Sequence, residues 1–295
     1  MLECSFWGIL GKWLHCHQPA FRTRKQIVGA LTAFLTMGAS SSAWAINCDK
    51  AVAPIDKRIC GNAGLKAADA AMGQAYGVIL KAAPDSEIRK MLTDSQRRWI
   101  AARDDGLSAN SEGAPLPISE LQKAFAERTS RLKDRTDKGL IAQAAAQRRF
   151  LAKYTGGSFT GFETNCEFIP NDSGGTSFSY QCFGAMHVQQ NYRVCSARTD
   201  WATWSLSEYH GVSAVKGDVA KLSAICGDQS GNICNSGDGR DEDSTWKLHP
   251  ERDERLLSPK SNLTKLDVEG VWPLEDSDVN WFDQCLTNAI FPPAQ

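Results

Sequence analysis

The sequence predicts an α+β protein, in which a disulfide-stapled helical hairpin or three-helix module precedes a disulfide-rich antiparallel β module. Residues 46–154 are rich in Ala, Lys, Arg and Gln, whereas residues 155–295 are rich in Gly, Ser, Asn, Asp and Trp. The net charge changes at the same place, from +6 in the first segment to −10 in the second. Six of the eight cysteines that follow residue 45 lie in the second segment. Together these changes predict two domains, 46–154 and 155–295.

A secretory leader is predicted over residues 1–45. A basic cluster is followed by the apolar run 27–37 and by small residues at 41–45, which predicts a signal peptide cleaved after Ala45. The apolar run is too short to span a bilayer comfortably, so we expect no stable membrane anchor after cleavage. Two cysteines and two histidines ahead of the basic cluster are unusual and indicate a start codon assigned too far upstream. We therefore expect a periplasmic or secreted protein of the bacterial envelope.

Helical periodicity marks the first segment. Pro84 ends one apolar stripe and Asp85 caps the next. Ser119–Gln122 has the pattern of a capping box for a third helix, which runs towards Phe150 with a break at Gly139. The inner faces of the three helices are predicted to carry Leu65, Ala68, Met72, Tyr76 and Ile79, then Ile88, Met91, Leu92, Ser95, Trp99 and Ala102, then Leu121, Phe125 and Leu132.

Short β-prone pieces mark the second segment. Ser177–Cys182 and His187–Cys195 favour strands, and Asn171–Gly175 has the composition of a turn. We expect a small antiparallel sheet, sandwich or barrel, with Trp272 and Trp281 in its core.

The cysteines are predicted to form disulfides. An even number in an exported chain is typical of a disulfide framework, and no C-x-x-C spacing supports a redox or zinc site. Cys48 and Cys60 are expected to pair and to stabilise the fold by about 3 kcal/mol in the chain-entropy description. The pairing of the other six stays open: Cys166, Cys182, Cys195, Cys226, Cys234 and Cys285.

No catalytic constellation is visible. The G-x-S-x-G, H-E-x-x-H, P-loop and G-x-G-x-x-G motifs are absent from the sequence. The three histidines after the leader, His187, His210 and His249, lie in separate segments. With every cysteine assigned to a bridge, no thiol nucleophile is expected. We expect neither an enzyme nor a cofactor.

The most acidic and polar stretch is 228–243. Oxygen ligands on a Gly-rich loop suit calcium, through Asp238, Asp241 and Asp243, but the spacing differs from that of an EF-hand. A solvated loop is the favoured alternative. In a third interpretation, these three residues and Glu242 attract a cationic protein partner.

Several motifs of the first segment agree in order and spacing with a known family. Cys48-Asp49 and Ile59-Cys60 are followed by L-x-x-A-D-x-x-M-x-x-x-Y, from Leu65 to Tyr76, and by Q-R-R-W-I-x-x-R-D, from Gln96 to Asp104. Over about residues 47–133 this pattern resembles the lysozyme inhibitor LprI N-terminal domain family. The family-motif residues are Asp49, Asp69, Tyr76, Gln96, Trp99, Arg103 and Asp104.

The chain departs from this family in two respects. The family commonly carries a further cysteine shortly after the R-D pair, where this sequence has Asp105-Gly106. Founding members include lipoproteins, whereas this chain lacks the lipid-acceptor motif. The resemblance implies an envelope protein and, in some members, inhibition of lysozyme.

Most motif residues are interpreted as structural. Trp99 lies on an apolar stripe and is expected in the core. Asp69 is expected to pair with Arg97, Arg98 or Arg103 across the helical hairpin. Gln96 and Arg103 are expected to tie the helix ends to the Cys48–Cys60 loop.

The sequence therefore predicts an exported protein that resembles lysozyme inhibitors and binds and occludes a lysozyme-type muramidase, with no nucleic-acid partner. The alternative is a structural or scaffolding envelope protein without inhibitory activity. A hydrolase in the second segment is disfavoured by the missing motifs. Lysozymes are commonly basic, so we expect the acidic segment, or a polar loop such as Gly106–Pro117 or Asp228–Asp243, to take part in binding.

The disulfide framework is open to a direct chemical test. We expect the exported protein to contain no free thiol and to hold Cys48 joined to Cys60. Peptide mapping without reduction checks this, and alkylation of either cysteine in most molecules would contradict it.

Overall fold

The structure is a computed structural model of the 295-residue chain, and it describes residues 45–107, 114–171, 177–202, 205–227, 246–248 and 262–291. The predicted leader before Ala45, the acidic stretch 228–243 and His249 lie outside these ranges. Within them the chain is mixed α and β, with helices first and an antiparallel sheet second, which confirms the predicted fold class.

Five helices form the described part of the first segment. They follow a 3-10 turn at Cys48–Lys50 and are α1 (Pro54–Gly61), α2 (Ala63–Ala82), α3 (Ser86–Gly106), α4 (Ile118–Lys133) and α5 (Leu140–Leu151). Helices α2, α3 and α4 correspond to the three predicted stripes. All residues of those stripes are buried except Ala68, which is partly buried against the same core.

Of the helix boundaries predicted at Asp85, Ser119–Gln122 and Gly139, the first and the last are confirmed and the second is wrong. The carboxylate of Asp85 accepts the N–H groups of Glu87 and Ile88, both at 3.0 Å, and so caps α3. The chain breaks at Gly139, and α5 begins at the next residue. The capping box at Ser119–Gln122 is wrong, because α4 begins at Ile118 with no side-chain cap. Its N-cap is Pro117, whose ring fixes the backbone φ ahead of the first turn.

The described residues of the second segment form one antiparallel sheet with the strand order β1-β2-β3-β4-β5-β6. The strands are β1 (Gly161–Pro170), β2 (Phe178–Gln190), β3 (Arg193–Ala202), β4 (Ser205–Lys216), β5 (Val219–Cys226) and the short β6 (Lys247–Leu248). The single strand predicted over His187–Cys195 is wrong, because the chain turns at Asn191-Tyr192. Asn191 adopts a positive φ of 53°, which asparagine tolerates better than most residues.

A sixth helix, α6 (Asp276–Thr287), packs against the sheet. Trp281 and Phe282 from this helix are buried in one core with Met186 and Val188 of β2. The Cys195–Cys285 disulfide joins the helix to β3. Trp281 therefore lies in the core as predicted. Trp272, the other predicted core tryptophan, is partly buried and packs against both this core and the helical one.

The helical core extends into the second segment. Trp99 makes edge contacts with Phe125, at a centroid distance of 5.3 Å, and with Phe168 of β1, at 6.2 Å. Gly106 ends α3 where the backbone of β1 comes close, since a Cβ atom there would lie 2.9 Å from the Cβ of Phe168. The described residues of both segments lie in one compact unit. The division into domains 46–154 and 155–295 stays a prediction.

Three disulfides are described in full. Cys48–Cys60 is present as predicted, Cys166–Cys182 joins β1 to β2, and Cys195–Cys285 joins β3 to α6. Cys226 is also disulfide-bonded, and Cys234 lies outside the described residues. In the part of the chain that the structure describes, no helix combines the length and the apolar character needed to cross a bilayer.

The boundary near residue 155 can be tested with a fragment. We expect residues 46–154 alone to be soluble and helical, but to unfold at a lower temperature than the full exported chain. The reason is that the fragment lacks Phe168, Leu266 and Val268, which are buried in the helical core. Circular dichroism with thermal melting measures both properties. A fragment with an unfolded spectrum would contradict the predicted division.

Candidate functional site

Two polar residues of the family motif, Asp69 and Arg103, connect the stapled N-terminal loop to the helices. The carboxylate of Asp69, on α2, accepts the N–H of Ile46 at 2.7 Å and is 3% exposed. Arg103 Nη2, on α3, lies 3.2 Å from Asp56 Oδ1, inside the loop that Cys48 and Cys60 close. Burial raises the pKa of Asp69, and the bond from Ile46 and the charge of Arg103 offset this only in part. Arg103 thus ties a helix end to the loop, and Asp69 binds the backbone there.

The other motif residues divide between the interior and the surface. Trp99 and Tyr76 are buried in the helical core. Gln96 is also buried, and its side-chain oxygen accepts a hydrogen bond from Arg128 Nε at 3.0 Å, so it contacts α4 rather than the stapled loop. Asp49 is exposed in the 3-10 turn, and Asp104 is partly exposed beside Arg103. The motif therefore describes mainly the inside of the helical module.

Four charged side chains meet where the helices contact the second segment. They are Arg98, Arg128, Asp267 and Glu269, here called the charged junction. Arg128 Nη1 lies 2.7 Å from Glu269 Oε1, and these side chains are 2% and 6% exposed. Arg98 Nη2 lies 2.6 Å from Asp267 Oδ2 and 3.2 Å from Glu269 Oε2. A buried carboxylate is thus shared by two guanidinium groups from adjacent helices.

The acidic half of the junction lies on an irregular stretch, Thr264–Gly270, here called the inner segment. Gln147 of α5 donates to the carbonyl of Asp267 at 2.6 Å and accepts the N–H of Asp267 at 2.9 Å. Thr264 exchanges backbone hydrogen bonds with Phe162 of β1, at 2.9 and 3.1 Å. The inner segment is therefore fastened to a helix on one side and to the sheet on the other.

Burial and charge act in opposite directions on the two junction carboxyls. Burial by itself raises the pKa of Glu269, but Arg128 and Arg98 outweigh it and hold that pKa below its ordinary value of 4.5. Burial also raises the pKa of Asp267, and there the charge of Arg98 offsets it only in part. Glu269 is accordingly the carboxylate that both arginines need in its charged form.

A cleft of about 540 Å³ opens beside the charged junction. Its walls include Arg128, Arg131, Tyr180, Glu269 and Trp272. Burial raises the pKa of the Tyr180 phenol, so this group is a neutral hydroxyl at physiological pH. The cleft thus combines aromatic rings with charged and neutral polar groups.

The nearby cluster of Cys166, Cys182 and Glu269 has the spacing of a metal site among the described residues. Both sulfur atoms belong to one disulfide and are not thiolates, the form in which cysteine binds metal ions. This cluster therefore supports no metal centre.

Sequence reasoning missed the charged junction because its partners are distant along the chain. Arg128 and Glu269 are 141 residues apart, and no spacing or motif relates them. Arg98 was expected to pair within the helical hairpin, but it pairs with the inner segment instead.

The predicted partner-binding residues Asp238, Asp241, Glu242 and Asp243 lie outside the described residues. Of the Gly106–Pro117 loop, Leu116 is buried and its carbonyl accepts a hydrogen bond from Arg58 of α1.

We expect Glu269→Gln to lower the free energy of unfolding by about 3–5 kcal/mol at pH 7, because it leaves two buried guanidinium groups without their shared anion. The depressed pKa of Glu269 gives stability that is present above about pH 4.5 and is lost as the pH falls through the lower, folded-state value. The variant should therefore lose less stability than the parent on acidification.

Urea denaturation at pH 7 and at pH 4 measures both effects. Glu127→Gln is the matched control, since Glu127 lines the same cleft but is exposed, and we expect it to change stability by less than about 0.5 kcal/mol. Equal stability of parent and Glu269→Gln at pH 7 would exclude a structural role for the junction.

Comparison with known proteins agrees with the motifs of the helical segment. Residues 48–138 match the sequence model of the family described as Lysozyme inhibitor LprI. No curated protein and no solved structure gives a match to the chain. Arg98 and Arg128 belong to the matched part, whereas their partners Asp267 and Glu269 lie beyond it. The helical part of this chain, from the Cys48–Cys60 staple to the residues after α4, is thus similar to the lysozyme inhibitor LprI family.

Proposed function

We propose that the protein is exported to the periplasm or beyond and acts there as a non-enzymatic inhibitor that binds and occludes a lysozyme-type muramidase. The observation that carries this proposal is the match of residues 48–138 to the lysozyme inhibitor family. The disulfides support the exported location, since such bridges persist mainly outside the reducing cytosol.

In this proposal exposed side chains, rather than the buried residues of the family motif, contact the muramidase. The motif residues Asp69, Gln96, Trp99 and Arg103 are buried and hold the helical module together. Substituting them would change the fold before it changed recognition. The binding surface is therefore sought among exposed charges and loops of the same module.

Three exposed lysines lie at one end of the helical module. Lys57, Lys66 and Lys123 are exposed near the starts of α1, α2 and α4. These helix starts lie together, because Arg58 contacts the carbonyl of Leu116 and a Cβ on Gly64 would contact Gln122. The three lysines, here called the basic end, thus flank the described end of the Gly106–Pro117 loop.

The charge distribution of the whole chain suits a basic enzyme with an acidic cleft. Muramidases that cleave glycosidic bonds use a pair of carboxyl groups in the cleft, which a cationic surface complements. Their outer surfaces are commonly basic, and the acidic second segment, with a net charge of −10, attracts such a surface. In this proposal the acidic segment steers the encounter and the basic end enters the cleft.

The direct test is the rate at which a basic lysozyme lyses peptidoglycan, with and without the purified exported protein. We expect a saturable fall in rate, and a weaker effect as salt is added, because the Debye length is already about 8 Å at 0.15 M. No inhibition at a molar excess would favour the alternative, a structural or scaffolding envelope protein without inhibitory activity. Turnover of wall fragments by the protein alone would overturn the non-enzymatic assignment.

Charge variants locate the binding surface. We expect the triple variant of Lys57, Lys66 and Lys123 to Gln to inhibit about tenfold less well, since exposed charge pairs contribute up to about 0.5–1 kcal/mol each. The same change at Lys81, Arg89 and Lys90, which are exposed near the other end of α2 and the start of α3, is the matched control.

The acidic stretch is tested separately. Neutral amides at Asp238, Asp241, Glu242 and Asp243 should weaken inhibition more than Trp99→Phe does, because steering depends on these charges. A quadruple variant that inhibits as well as the parent would exclude the acidic stretch. It would leave the basic end and the Gly106–Pro117 loop as the binding surface.

A further inference from the structure

Ile46, the first residue after the predicted leader, is held against α2. Its backbone N–H donates to Asp69 Oδ2 at 2.7 Å, and its side chain is partly buried against the helical core. The loop that follows is closed by the disulfide between Cys48 and Cys60. The backbone nitrogen of Ile46 is therefore fixed beside one particular carboxylate.

The carboxylate that binds Ile46 is deeply buried. Asp69 is 3% exposed, and aspartate is almost never so buried unless it is paired. Arg103, whose charge acts on Asp69, forms its own ion pairs with Asp56 and Asp104. Among the described residues, Asp69 accepts the N–H of Ile46 but forms no ion pair with a side chain. Burial raises the pKa of Asp69, so its charged form is only partly compensated.

Removal of the leader would supply a positive charge at this place. Hydrolysis of the Ala45–Ile46 peptide bond by a signal peptidase leaves a carboxylate on Ala45 and an amine on Ile46. The amine takes up a proton at neutral pH. We propose that this cleavage creates a buried ion pair, in which the α-ammonium group of Ile46 binds the carboxylate of Asp69. The inference rests on the export proposed above and does not depend on muramidase inhibition.

The position of the new terminus decides whether the pair forms. Nitrogen and oxygen already lie at hydrogen-bond distance, so the ammonium group of Ile46 needs no rearrangement to reach Asp69. A chain that begins at Ala45 keeps the hydrogen bond but carries its charge one residue away, about 3.8 Å along the chain. A chain that begins at Asn47 lacks the donor. A start at Ile46 alone combines the charge with the hydrogen bond, which makes the contact stronger.

The stapled loop would then acquire two of its stabilising contacts only after export. Disulfides persist mainly outside the reducing cytosol, so the Cys48–Cys60 bridge also belongs to the exported form. The precursor in the cytosol lacks both this bridge and the ion pair at Asp69. The helical module therefore reaches its full stability once the leader has been removed.

Thermal unfolding of two purified forms of the exported chain tests the proposal. One begins at Ile46 and the other at Ala45, each produced by removing a tag without leaving further residues. We expect the Ile46 form to melt at least about 4 °C higher at pH 7, because only this form holds the buried ion pair. Asp69→Asn should abolish the difference. The matched control Asp49→Asn, at an exposed aspartate of the same loop, should preserve it.

The pH dependence distinguishes an ion pair from a hydrogen bond alone. An α-amino group loses its charge above its ordinary pKa of about 7.7–8.0, and at higher pH where a carboxylate binds it. The additional stability is therefore complete at pH 7 and is lost as the pH rises further. Asp56 and Arg103, the other charged groups that act on Asp69, keep their charges over this range. The melting difference between the two forms should accordingly narrow towards about pH 11.

Equal melting temperatures of the two forms at pH 7 overturn the proposal. N-terminal sequencing of the exported protein overturns it as well if the first residue is not Ile46. Where Asp69→Asn fails to fold, the pH series decides, since a melting difference that stays constant up to about pH 11 does not come from an ammonium group. No muramidase enters these measurements, so their failure is distinct from a failure of the proposed inhibition.

Discussion

The ion pair between Arg128 and Glu269 is the interaction on which the arrangement of the two segments depends. Both side chains are almost fully buried, at 2% and 6% exposure, and removing either would leave the other charged and desolvated. Ser95 and Gln96 complete the hydrogen bonds of Arg128, so the cost of burying the guanidinium is offset by three directed contacts. The helices and the second segment are therefore held together by the same buried ion pair.

This constraint selects one alignment of the inner segment. Arg98 and Arg128 come from different helices and converge on Glu269, while the side chain of Gln147 makes two hydrogen bonds with the backbone of Asp267. Sliding the inner segment by one residue would break all of these contacts at once. Apolar packing of Leu266 and Val268 alone is less selective, because neighbouring apolar residues substitute for one another more easily. The charged groups thus fix which residues of the inner segment face the helices, and the apolar groups provide most of the buried surface.

The sequence predicted those features whose physical cause is local. Helical stripes such as Leu65 to Ile79, the cap at Asp85 and the Cys48–Cys60 staple each depend on residues close together in the chain. The start of α4 and the turn at Asn191 were missed, because backbone preferences of Pro117 and Asn191 prevailed over side-chain patterns. The charged junction could not be predicted, because tertiary packing alone brings its residues together across more than a hundred positions.

Gly106, at the end of α3, determines how closely the helices and the sheet can pack. Gly106 has no side chain, and this leaves room for the backbone of β1. The end of α3 is thus packed directly against Phe168 of β1. A methyl group on Gly106 would come too close to Phe168, so β1 would have to move away from α3. That movement would disturb the contact between Phe168 and Trp99 in the helical core. The sheet can therefore approach the helices only as closely as the missing side chain of Gly106 allows.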